Sequence, residues 1–500
     1  MTLTRPGPLA LEKAAGPAEE GVGPTATPHA DLPPLGDGPL SADVVLRARW
    51  LEVLLGDPLN TTGPHGRTTS DGVRKVPAPS GALGTVLPGP ADLRRLGADG
   101  IARVLRPLFR RDLGLGHAWA VRPLSGAVAG AEAGGPGAEL GALLGPAALI
   151  AAAGGALHTT ARLVDSLAAR EPGVRQWQPV LAAGFADLLA CESLTTVALR
   201  ALDLTAGGTP ALTAATGYVV PQLVGQVLDD LELVLNESGF GPHTAERRAL
   251  AKLAADRAEA GADPAAAVAG QARLIRALPS LADPAGGGSR PDAAPEGGSE
   301  HAVSRELFQL GRTVTARTGT RVGALSTADV AAALPGAAAR LAERTDDDPA
   351  VAALTRVARR LATEQRTLRL PCPAAGHTGP VGPVARALAD RQALLLLAAA
   401  VLGVGREAGG FLGGPHWALL ALARVTRRLG APLPGPAVDP AGDVWAELAE
   451  RTRQGVDCDV YGSELLWAAA RTGTGAGTDT GTEAGTDTRT EAGRRGGGGA

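Results

Sequence analysis

Apolar residues recur along this chain at spacings of three and four, the period of a helix with one buried face. The cleanest case lies at 216–236, where Val220, Leu223, Val224, Val227, Leu228, Leu231, Val234 and Leu235 form one stripe. The same period predicts helices over 140–169, 177–203, 243–260 and 264–281. Pro146 and the pair Gly154–Gly155 fall inside the first of these, and Val180, Leu181, Leu188, Leu189 and Cys191 populate the second. Upstream, "SADVVLRARWLEVLLGDP" (41–58) reads as a helix with Ser41 as N-cap and Leu46, Trp50, Leu54 and Leu55 on one face. Gly56 and Pro58 end it. In "DGIARVLRPLFRRDLG", Ile101, Val104, Leu105, Leu108 and Phe109 share a face, and Pro107 should bend or interrupt the helix.

Long helices joined by short connections imply a bundle. No stretch of domain size alternates Val, Ile, Thr and Tyr as a sheet would, so the fold class is all-α. Gly- and Pro-rich punctuation then divides the chain. Residues 1–40 read as a disordered tail, 41–133 as an N-terminal helical domain and 140–282 as a helical bundle. A linker spans 283–300, a helical extension 301–470, and a low-complexity tail 471–500.

Composition narrows the chemistry. Aromatics are only 3% of the chain, so Ala, Leu and Val must fill the core, with Trp417 and Trp445 as anchors. A net charge of -3 gives no reason to expect nucleic acid or an anionic membrane. The basic clusters "RRDLGLG" (110–116) and "RVARRLA" (356–362) alternate with apolar positions and read as solvated helix faces. Cys191, Cys372 and Cys458 are far apart and odd in number, which fits a reduced cytoplasmic protein rather than a disulfide framework or a zinc site. Cys191 reads as a small core residue. The N-terminus lacks a long apolar signal region, and the run "ALLLLAAAVLGVG" (393–405) falls short of the ~20 residues a membrane span needs. It reads as a buried helix.

Five stretches, at four places along the chain, carry a resemblance. "FADLLACESLTTVALRALDL" (185–204) is followed by "TAATGYVVPQLVGQVLDDLELVLNESGFGPH" (213–243). Together they resemble the C-terminal helical bundle of the acyl-CoA dehydrogenase family, with Arg200, Tyr218, Val219, Val220, Pro221 and Leu223 matching its pattern. "ARVLRPLFRRDLGLGHAW" (102–119), "LLGDPLN" (54–60) and "CDVYGSELL" (458–466) are similar to the helical regions of an actinobacterial branch. Members usually carry a β-domain between two helical parts. Here the first part ends near Gly134 and the bundle begins near Leu140, so that domain is missing.

The resemblance implies FAD as cofactor and an acyl-CoA or acyl-carrier thioester as substrate. It places the catalytic carboxylate in the loop "AEAGADPAAAV" (258–268), with Glu259 and Asp263 as candidates and Glu192 as a distant third. Asp263 reads equally as an N-cap ahead of Pro264. Flavin contacts would fall to Arg170 and Gly173, otherwise a helix stop, and to Gly239 and Gly241, otherwise a helix cap and turn. Two functions stay open. One is a flavin-dependent oxidoreductase on an acyl thioester. The other is a non-catalytic helical scaffold forming a homo-oligomer, or a hetero-oligomer with an intact family member.

Overall fold

Every residue from Leu181 to Ala201 is buried, which puts the helix Gln178–Leu204 at the centre of the fold. The computed structural model describes residues 40–60, 79–129, 136–204, 209–237, 244–257, 264–282, 305–311, 327–343, 347–368, 382–431 and 438–468. The principal helices are α1 (Leu40–Leu55), α2 (Leu93–Arg111), α3 (Pro136–Leu167), α4 (Gln178–Leu204), α5 (Pro210–Glu237) and α6 (Ala245–Asp256). They continue as α7 (Pro264–Ala282), α8 (Thr327–Glu343), α9 (Pro349–Leu368), α10 (Pro383–Glu407), α11 (Pro415–Arg428) and α12 (Ala441–Gln454). Among the described residues there is no strand, only an isolated bridge between Val456 and Glu464. The all-α class read from the period is what the chain adopts. The tails and the 283–300 linker lie outside the described residues, apart from Leu40.

Helix α4 packs against α2, α3, α5, α10, α11 and α12. One apolar core runs from Val44 to Val460. All eight residues of the α5 stripe are buried, as are Ile101, Val104, Leu105, Leu108 and Phe109 of α2. Trp417 is fully buried, and its indole N–H donates to the Leu412 carbonyl at 2.8 Å. Few aromatics are needed because Ala and Leu let the helices approach closely.

Three expectations need correction. Pro107 does not interrupt α2: the non-helical residue is Gly97, at φ 71°, ψ 170°. The left-handed φ suits glycine, and Asp203 of α4 caps the restart by accepting from the Ala98 N–H at 2.9 Å. In α1 the helix begins at Leu40, so Ser41 is not its N-cap. Its buried face is Val44, Leu51 and Leu55 with the acids Asp43 and Glu52, while Trp50 and Leu54 are half-buried. The face is turned because both acids meet arginines: Asp43 pairs with Arg95 at 2.7 Å, and Glu52 pairs with Arg110.

The third correction concerns length. The run at 393–405 belongs to a 25-residue helix, and Ala138–Leu167, Pro172–Leu204 and Pro383–Glu407 are each long and apolar enough to cross a membrane. Their most apolar windows are 78%, 94% and 78% buried, so neighbouring helices already cover that surface.

Candidate functional site

Arg106 and Arg110 lie one turn apart on α2, on a face that is otherwise apolar. Room for their stems comes from α3. A Cβ on Gly154 would stand 3.5 Å from Arg106 Nη2, and one on Gly155 would stand 3.5 Å from Arg110 Cγ. The two guanidinium groups then reach carboxylates from three other parts of the chain. Arg106 donates from Nη1 to Glu192 of α4 and from Nε to Asp457 at 2.6 Å. Arg110 donates to Asp457 from Nη1 and to Glu52 of α1 from Nη2. Planar guanidinium groups suit such multidentate pairing.

Asp457 is presented by the loop that follows α12. Gly455 (φ 66°) ends that helix in the left-handed region, and Gly462 (φ 64°) turns the chain back. The loop closes through Leu465 N–H to Gly455 O at 2.7 Å and Asp457 N–H to Ser463 O at 2.8 Å. Asp459 fixes the turn by accepting from the backbone N–H groups of Tyr461 and Ser463, both at 3.1 Å. Val460 N–H donates to Glu192 Oε2 at 3.1 Å, and Arg451 Nη1 donates to the Asp459 carbonyl at 2.6 Å.

A second branch adjoins the first. Arg200 of α4 pairs with Asp99 at 3.1 Å, Tyr461 donates to Asp99 at 2.9 Å, and Arg103 lies 4.3 Å from the Tyr461 ring centre. Between the branches a cavity of about 20 Å³ is lined by Asp99, Arg103, Arg106, Glu192, Thr196 and Tyr461. It has room for about one water molecule.

The electrostatics follow from the inventory. Four buried carboxyls (Glu52, Glu192, Asp457, Asp459) face two buried guanidinium groups. Burial raises Asp457, but Arg106 and Arg110 outweigh it and hold that carboxyl well below its usual range. Glu192 carries the excess acidity. Burial, with Asp459 and Asp457 adding to it, pushes its carboxyl up to about 8 against the pull of Arg106. Glu52 is raised by burial too. His158 of α3 is fully buried edge-on to Trp467, at 5.7 Å between ring centres, and burial lowers its imidazole to about 4.

Of the site residues expected from the sequence, the structure describes Arg170, Gly173 and Glu192. Arg170 and Gly173 are exposed in the turn joining α3 to α4. Glu259, Asp263, Gly239 and Gly241 lie outside the described residues. Helix α7 does begin at Pro264. Glu192, the described member of the carboxylates considered, lies in the junction, and both its oxygens are engaged, by Arg106 and by Val460 N–H. The expectation that 110–116 is a solvated face fails at Arg110, which is buried, whereas Arg359 and Arg360 of the second cluster are exposed. Two arginines at i and i+4 beside an apolar stripe were the available signal. Cys191 and Cys458 are buried, and burial raises both thiols.

A second cavity, of about 130 Å³, lies beyond Arg110. Sites for ligands of drug size span roughly 300–1,000 Å³, so neither cavity fits a flavin. Comparison of the chain with family models, curated proteins and solved structures finds no match.

Proposed function

We propose that this chain is an acyl-CoA dehydrogenase-like helical protein that acts as a scaffold, without redox turnover of its own, assembling with itself or with an intact family member. One observation supports the reading most. Three of the stretches that carry the resemblance converge on the charge junction, and there they engage one another. The stretch 102–119 supplies Arg106 and Arg110, 185–204 supplies Glu192 and Arg200, and 458–466 supplies Asp459, Val460 and Tyr461. Their polar groups hold the helices together, whereas a catalytic constellation needs groups left available to substrate.

The rival reading is a flavin-dependent oxidoreductase on an acyl thioester. It is favoured by one fact, the raised carboxyl of Glu192, since perturbed carboxyls concentrate at active sites. Purified full-length chain separates the two. The scaffold predicts colourless protein that takes up no FAD in equilibrium dialysis and shows a defined multimer by light scattering, alone or after mixing with an intact family member. Stoichiometric flavin, or bleaching of added flavin by an acyl-CoA, would establish the oxidoreductase instead. A monomer indifferent to any family member would overturn the assembly claim.

A further inference from the structure

The cavity of about 130 Å³ beyond Arg110 lies between the ends of α1 and α2 on one side and α3 and α6 on the other. Small side chains make the hollow. Ala152, Gly155 and Ala156 share one face of α3, and Ala245 and Ala249 share one face of α6. Phe109 and Leu253, both buried, complete a mostly apolar wall. Helix faces this small would let α3 and α6 close on the space, but polar struts fix α6 where it is. Lys252 pairs with Asp112 at 2.9 Å and with Asp256 one turn along α6. Asp256 in turn accepts from the Gly114 N–H at 3.2 Å. These contacts tie α6 to the end of α2 and to the turn after it, so the hollow is not free to collapse.

The charged groups of the lining are already engaged. Lys252 and its two acids hold one another, and Asp112 also accepts from the Leu115 N–H at 2.8 Å. Arg110 is set against Glu52 and Asp457. Arg111 donates to the carbonyls of Leu55, Pro58 and Asn60, and Asp112 and Asp57 both act on its charge. Thr159 donates to the Ala156 carbonyl at 3.0 Å, and Arg248 reaches solvent. The Arg110 Nε–H has no partner among the described residues, yet that nitrogen is itself buried, out of a ligand's reach. A ligand that brings a charge must shed its water and compete for groups already paired, which is costly. A neutral hydrocarbon sheds only apolar hydration, which is favourable, and restores the contacts that an empty hollow forfeits. Size sets the upper limit, since an apolar cavity of roughly 150 Å³ accommodates benzene.

We propose that this cavity binds one neutral monocyclic hydrocarbon of about six carbons, its ring held between Phe109, Leu253 and the small faces of α3 and α6. The claim is independent of the scaffold reading, since it requires neither flavin nor a second chain.

Calorimetric titration of the full-length chain with benzene and with benzoate tests it. Benzene should bind saturably at one site, with benzoate at least ~10-fold weaker, a difference of about 1.4 kcal/mol. Ala249→Leu fills the cavity from α6 with a residue that favours helix. It should weaken benzene at least ~10-fold with an unchanged circular dichroism spectrum. Ala156→Leu fills the cavity from α3 and serves if the first variant does not fold. Absence of saturable benzene binding overturns the proposal. Benzoate bound as tightly as benzene overturns the neutral ligand class, and benzene binding that survives both leucine variants overturns the location.

Discussion

Arg106 donates to Glu192 in a buried contact where Glu192 is held from both sides, by a guanidinium on α2 and by the Val460 N–H of a loop far along the chain. The pair is therefore a three-body contact. Removing one member strands the others in a medium that solvates them poorly.

Arg106→Ala should destabilise the protein by about 3–5 kcal/mol, the range for breaking a buried ion pair from one side. Urea unfolding followed by tryptophan fluorescence measures it. A loss within the roughly 0.5 kcal/mol typical of surface substitutions would mean that the junction contributes little to stability.

The excess carboxyl gives the protein a pH dependence of definite sign. Glu192 titrates near 8 when folded and near 4.5 when unfolded. Between those values the folded state binds the extra proton, so the contribution of Glu192 to stability declines as pH rises through the window. Glu192→Gln removes this titration while keeping an acceptor for Val460 N–H. The variant should gain on the parent by up to about 1.4 kcal/mol per pH unit within the window and level off above it. Paired urea melts at mildly acid and mildly alkaline pH check the direction. A gap that narrows with rising pH contradicts the assignment.

His158 acts at the acid end with the opposite sign. It stays neutral in the fold to about 4, whereas the unfolded chain takes up the proton at 6.5. Stability should fall as pH drops through that interval, by at most about 3 kcal/mol from this group. His158→Leu should flatten the acid limb of the stability profile. An acid limb of unchanged slope would assign that limb to other groups.

Gly154 separates two kinds of glycine. Its φ is ordinary, and a Cβ there meets Arg106 Nη2 at 3.5 Å, a normal contact. Gly154→Ala should be neutral or gain up to about 1 kcal/mol from helix propensity. Gly154→Leu should cost about 1–3 kcal/mol by overpacking against Arg106. Thermal melts of the two variants should move in opposite directions relative to the parent, or the glycine has another role.

Legibility followed the physics of each segment. The α5 stripe was readable because all eight of its buried positions are apolar and fall at helical spacing. The inward face of α1 was not, since Asp43 and Glu52 are buried on it and their partners, Arg95 and Arg110, lie elsewhere in the sequence. Residues 458–466 carry a family resemblance and no helical period. Nothing local revealed that Asp457, just before that stretch, would meet Arg106 and Arg110, or that Glu192 would hold a proton. Long-range pairing of opposite charges leaves no period in a sequence. The candidate flavin and base positions rest on the family resemblance, and of these Arg170 and Gly173 are described and lie exposed.

The bonds from Arg106 and Arg110 to Asp457 close a circuit of 351 and 347 residues. At about 5–20 residues per second on the ribosome, the arginines emerge roughly 20–70 s before their acid. During synthesis Arg110 can meet Glu52 at once and Arg106 can meet Glu192 after 86 residues, but neither meets its shared acid until the loop after α12 is made. The junction is thus completed only when the loop after α12 is made, and a nascent chain stalled before Asp457 would leave Arg106 and Arg110 without the one acid they share.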